Sequence, residues 1–182
     1  MDETTGNEAM NTTFEGSINI ISSAINKTPN AAEYITLLAN TSSEIVNDET
    51  EDQNLRYIGA NPNNYVYFNC EDYNNPTSDT CELWRIIGVM NNMELADGTT
   101  GQSLVKLVRA ESIGNLSWDN KPTGVGPDLR WANNVYSLRP EGNVMAGVAR
   151  GSNAVKPSLY LSSNVRITSG DGSSSSPFVL TM

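Results

Sequence analysis

Two cysteines, a scatter of carboxylates and three tryptophans are the side chains of this chain that could do chemistry, and no histidine accompanies them in 182 residues. Histidine is the usual general base near neutral pH and the commonest transition-metal ligand, so its absence removes whole reaction classes. Ser-His-Asp and Cys-His nucleophile systems cannot be assembled from this chain, nor can histidine-ligated zinc, copper or iron centres. Paired carboxylates remain for acid–base work, with Asp48 and Glu49, Glu71 and Asp72, or Glu111 and Asp119 available. Sixteen acids fall within the first 99 residues, and pairs arise by chance at that density, so each reads first as part of a solvated loop. The acidic run 47–52 lacks the spaced oxygen ligands and the terminal glutamate of a calcium loop. The chain is therefore read as non-enzymatic, with no catalytic residue, no metal site and no cofactor.

Cys70 and Cys81 bracket the loop 71–80, which is dense in Asn, Asp, Pro, Ser and Thr. A disulfide closing it would join the end of one strand to the start of the next and stabilise by about 3 kcal/mol in the chain-entropy account. Two reduced structural thiols are the alternative that spacing alone leaves open. If the bridge forms, the compartment is oxidising or extracellular.

The tryptophans raise a second possibility, since sugars present apolar faces that aromatic rings cover. Trp84 sits in the most hydrophobic stretch and reads as core. Trp118 and Trp131 flank a Gly- and Pro-containing segment, 120–130, so the candidate ligand-binding residues are Trp118, Asp119, Trp131, Asn133 and Asn134. Packing beneath the loop is the competing assignment for both indoles.

The net charge of −10 is unevenly spread. Residues 1–99 carry three basic side chains against sixteen acidic ones, and residues 100–182 eight against five. The basic residues are single and dispersed, which excludes nucleic acid as a partner. No run of about 20 apolar residues is present to span a bilayer, and residues 1–4 have no signal-peptide character. Twenty-three asparagines and sequons at Asn11, Asn26, Asn40 and Asn115 suit exposed surface loops. The expected location is extracellular, at a cell surface, with membrane contact only through an anchor absent from this chain.

Around these residues the pattern calls for one α+β, β-rich domain. Residues 1–50 form a polar N-terminal segment with a short helix at about 30–40, opened by Thr28-Pro29 and placing Tyr34, Ile35 and Leu38 on one face. Residues 51–182 form a single β-rich domain. Within it, 56–58 and 65–68 read as a hairpin about the turn 60–63, 83–90 as a central strand, and 104–109 as a half-exposed strand after the turn 97–101. Residues 135–138 and 144–148 read as a further hairpin, and 159–161, 165–167 and 178–180 complete the sheet, with 168–176 as a flexible turn.

The stretches 57–66 (YIGANPNNYV), 83–89 (LWRIIGV), 111–119 (ESIGNLSWD), 156–161 (KPSLYL) and 170–173 (GDGS) resemble a family of uncharacterised cell-surface proteins of Gram-positive, often gut-dwelling bacteria. The likeness covers most of residues 44–180 and implies an exported, anchored protein with no assigned activity. Members generally place a long variable insert after the Ser-Trp-Asp motif, where this chain has only 120–130, so a binding surface built by that insert would be reduced. A C-type-lectin-like arrangement, with a loop-rich face above antiparallel sheets, is the fold analogy. The functional expectation is an extracellular adhesion or binding domain for a glycan or a host or bacterial surface protein. Its alternative is a structural spacer with no specific ligand.

Overall fold

The computed structural model describes residues 28–116, 134–138, 144–148 and 152–182; of 134–138 and 146–148 it describes the backbone. In these residues one helix, α1 (Ala31–Ala39), precedes twelve strands: β1 (Ile45–Asn47), β2 (Leu55–Tyr57), β3 (Tyr65–Phe68), β4 (Glu82–Met93), β5 (Gln102–Arg109), β6 (Asn115–Leu116), β7 (Asn134–Leu138), β8 (Val144–Val148), β9 (Asn153–Ala154), β10 (Ser158–Tyr160), β11 (Arg166–Ser169) and β12 (Val179–Thr181). The β-rich, antiparallel class and the short helix expected from the pattern are both present.

Helix α1 begins where Asn30 and Glu33 cap each other: Asn30 Oδ1 accepts the Glu33 amide and Glu33 Oε2 accepts the Asn30 amide, both at 2.8 Å. Ala31, Ala32 and Ile35 face inward, and the Ala31 amide donates to the Val165 carbonyl at 2.8 Å, which fastens the helix start to the loop before β11. Small residues at 31 and 32 let the helix lie close to the strands. Residues 31–47 thus supply a helix and an edge strand to the same core as the later strands, together with Val66, Trp84, Ile86, Val105, Leu107 and Phe178.

The twelve-residue β4 is the axis of the six-stranded sheet, whose order is β1-β2-β4-β5-β10 with β3 also on β4. One edge of β4 carries β5 from Trp84 to Met93; the other is shared by β2, opposite Gly88 and Val89, and β3, opposite residues 82–85. The expected hairpin between 56–58 and 65–68 is therefore not formed. Both strands are antiparallel to β4, so they run in the same direction, and the link 58–64 shifts the chain along one edge instead of reversing it.

The physical reason lies in Asn64, the buried polar residue among those described. Its Nδ2 donates to the Ile86 carbonyl at 2.7 Å, its own carbonyl accepts the Ile86 amide at 2.8 Å, and its Oδ1 accepts Arg85 Nε at 2.8 Å. Those bonds seat the link flat against β4. Arg85 then lies over the Tyr65 ring, 4.6 Å from its centroid, while the Tyr65 hydroxyl donates to Asn61 Oδ1 at 2.9 Å and the Asn63 amide donates to Glu44 at 3.0 Å.

The C-terminal strands also depart from expectation. β10 joins the main sheet through β5, but β11 and β12 form a separate pair, connected to β3 through the Val66 and Phe178 bridge. The turn expected to be flexible is packed: the Tyr65 amide donates to the Gly172 carbonyl at 2.8 Å, Phe178 exchanges bonds with Tyr65 and Tyr67, and Asp171 accepts the Ser173 amide at 2.9 Å. Gly172 has a φ of 79°, and a Cβ there would meet the Asn63 carbonyl and the Phe178 ring, so glycine is required at this contact. The expected hairpin of β7 and β8 is present in five backbone pairs, and β6 pairs with β9.

Two positions on β2 and β4 make opposite predictions. Gly88 has no room for a side chain, because a Cβ would collide with the Leu55 carbonyl. Tyr57 buries a hydroxyl that has no hydrogen-bond partner, and burial, followed by the Glu44 charge, raises its pKa above the usual phenol range. Urea unfolding is expected to show Gly88→Ala destabilised by about 1–3 kcal/mol through overpacking. Tyr57→Phe, which deletes an unsatisfied group, is expected to be neutral or stabilising by about 1 kcal/mol.

Candidate functional site

Of the residues singled out for ligand binding, Trp118, Asp119, Trp131 and Asn133 lie outside the described residues, and Asn134 opens β7 with its backbone paired to Val148. Trp84 is core, 4 % exposed, with its indole edge-on to Phe68 and its Nε1 donating to Glu82 at 2.9 Å. Cys70 and Cys81 form the disulfide, closing the loop between β3 and β4. Inside that loop the Glu71 amide donates to the Thr80 carbonyl and the Asn74 amide to Asp72, so its polar residues largely bond one another.

One concave feature that sequence reasoning missed is a groove of about 820 Å³ between α1 and the adjoining ends of β1, β2, β4 and β5. Such a volume lies within the usual range of small-molecule and peptide sites. One wall is helical, from Pro29 through Ala32, Glu33 and Thr36 to Leu37, which is 60 % exposed. The other side carries Asn47, Gln53, Leu55, Asn91 and Ser103.

The amides of that floor are held by one another. Asn47 Nδ2 donates to Gln53 Oε1 at 2.9 Å, and Gln53 Nε2 donates to the Thr50 carbonyl at 2.8 Å. Asn91 Nδ2 donates to the Gln53 carbonyl at 2.8 Å, and Asn91 Oδ1 accepts the Ser103 hydroxyl at 2.7 Å. Asn54 completes the network by accepting the Asn91 amide at 2.8 Å. The backbone is shaped to the same end. The register of β4 against β5 shifts between Met90 and Met93, and Asn92 and Gln53 sit in the left-handed region with φ of 54° and 53°. A bulge redirects side chains next to it, and uncommon backbone conformations at non-glycine residues persist where surroundings over-determine them. Neither signal is visible in the sequence, because Asn91-Asn92 simply continues an apolar strand.

The connector from β1 to β2 borders this floor. Asp48 accepts the Thr50 hydroxyl at 2.6 Å and pairs with Arg56 at 3.2 Å, and the Asp52 carboxylate accepts Asn92 Nδ2 at 3.1 Å. The Thr50 hydroxyl bond is the largest influence on Asp48, whose pKa is pulled down to about 2. Asp97 and Asp171 are also lowered, by the Thr99 backbone amide and by Ser173 respectively. All three carboxyls accept hydrogen bonds from residues two positions on in their own turns. Among the described residues no group of three or more His, Cys, Asp or Glu could hold a metal ion, and no helix is long and apolar enough to cross a membrane.

Because the folded pKa of Asp48 lies below its ordinary value near 3.8, its contribution is complete above that value and is lost as pH falls through about 2. A carboxyl-detected NMR titration is expected to place Asp48 near pH 2. Thr50→Val should raise that midpoint more than Arg56→Gln, since the hydroxyl bond outweighs the guanidinium; the reverse order would reject this assignment. Compared with family models, curated proteins and solved structures, the chain matches none.

Proposed function

We propose that this protein is a non-catalytic binding domain displayed outside the cell, and that the groove beside α1 is its ligand-holding face. The single observation that carries the reading is the floor of Asn47, Gln53, Asn91 and Ser103, bonded into fixed positions at the base of an open groove. Pre-positioned donors and acceptors lower the ordering cost of binding and supply specificity without reaction chemistry. The extracellular part of the proposal draws on the Cys70 and Cys81 bridge, which persists in oxidising compartments, and on the resemblance to bacterial surface proteins. The lack of histidine favours binding over catalysis.

A spacer domain is the second reading, and one observation favours it. Residues of the resembling stretches, Asn61 to Tyr65, Arg85, Ile86 and Gly172, meet in bonds that hold the fold together. A spacer needs that framework and no ligand.

Glycan and peptide arrays probed with the full, oxidised chain separate the two. The binding reading expects selective retention that Leu37→Arg, at an exposed helical position on the groove wall, weakens by about tenfold or more, while Trp118→Ala and Trp131→Ala leave it intact. Retention lost in the tryptophan variants alone would move the face away from the groove. Silence across both arrays from a folded protein would leave the spacer reading in its place.

A further inference from the structure

The lining of the groove discriminates among ligand classes. We infer that it takes a short peptide segment bearing lysine or arginine, an inference that rests on the groove being the binding face. The apolar part of the lining is aliphatic, with Pro29, Ala32, Leu37 and Leu55 and no aromatic ring among the described residues. A sugar stacks its C–H face on rings, whereas an aliphatic peptide side chain, or the methylene stem of a lysine, packs equally well on leucine and proline.

The polar part matches a peptide backbone. Asn47, Gln53 and Asn91 each commit one amide N–H inside the network, and each side chain carries two. The second N–H of each can serve a carbonyl of a bound chain, and Ser103 Oγ, whose proton is given to Asn91, presents lone pairs to a peptide N–H.

Charge selects the side chains. Among the described lining residues Glu33 is the ionisable one, its Oε2 already accepting the Asn30 amide, and the connector at the border carries Asp48, Glu49, Glu51 and Asp52. Arg56 is bonded to Asp48. A ligand approaching this rim meets a negative field, which repels carboxylates and phosphates and draws a cationic segment in.

The test is fluorescence anisotropy of the full oxidised chain with labelled hexapeptides of an Ala, Leu and Asn background. One set carries Lys or Arg at fixed positions and the matched set carries Glu there. The basic set is expected to bind at least about tenfold more tightly. Glu51→Gln is expected to weaken binding about two- to fivefold at low salt, less at high salt. Leu37→Arg is expected to abolish the preference. Equal binding of the two sets, or binding indifferent to Leu37→Arg, overturns the inference. Glycan binding that Leu37→Arg removes, with no peptide retained, overturns the peptide assignment and leaves the binding-domain reading standing; a folded protein that holds neither class overturns both.

Discussion

The rest of the described fold depends on one buried amide. Asn64 is 6 % exposed, so its donors and acceptors must be met by protein, and they are: by Ile86 on β4, by Arg85, and by the Pro62 carbonyl that accepts its backbone N–H. Leaving any of these groups unpaired in the interior would cost about 1–3 kcal/mol, and this penalty makes the position of the link 58–64 unambiguous. With the link pinned, Tyr65 falls under Arg85, β3 continues the edge begun by β2, and the Asn63 carbonyl lies where only Gly172 can approach. Phe178, 1 % exposed, then fits between β3 and α1, edge-on to Tyr34 at 5.9 Å between centroids. Chain segments more than a hundred residues apart are joined by one amide and the contacts that follow from it.

That junction also explains why the motifs of this chain speak of structure more than of ligand. The asparagines of the link, Arg85 and Ile86 of β4 and Gly172 of the C-terminal turn meet at one place, and each has a mechanical reason to be the residue it is. The groove lies roughly 15 Å further along β4, by the rise of a strand from Ile86 to Asn91. Its residues are ordinary asparagines, a glutamine and a serine whose importance comes from being brought together.

How much could be read in advance follows the same division. Helix α1 was legible because Thr28-Pro29 marks its start and Tyr34, Ile35 and Leu38 fall on one face, and β4 because 83–90 is dense in β-branched and aromatic residues. The disulfide was legible as one of two alternatives, since Cys70 and Cys81 bracket a loop between strands. Strand partners were not. The Asn-Pro-Asn-Asn turn has the composition of a reversal, and only the burial of Asn64 makes it a shift along an edge. The serine-rich turn 173–176 has the composition of a loose loop, yet its neighbour Gly172 is locked against Asn63. The groove was invisible for the same reason, being a product of a bulge, two left-handed residues and long-range amide contacts spanning about 40 residues, as between Gln53 and Asn91.

The central claim is that Asn64 couples the link, β3 and the C-terminal strands into one unit, and native-state hydrogen exchange on Asn64→Ala tests it most directly. The account predicts that the amides of Tyr65, Tyr67 and Phe178 lose protection together, by about 1–3 kcal/mol of opening free energy, while Leu161, bonded to Val105 at 2.9 Å, changes less. If Phe178 keeps its protection while Tyr65 loses it, or if all four amides shift equally, the amide is not the coupling element and the account is wrong.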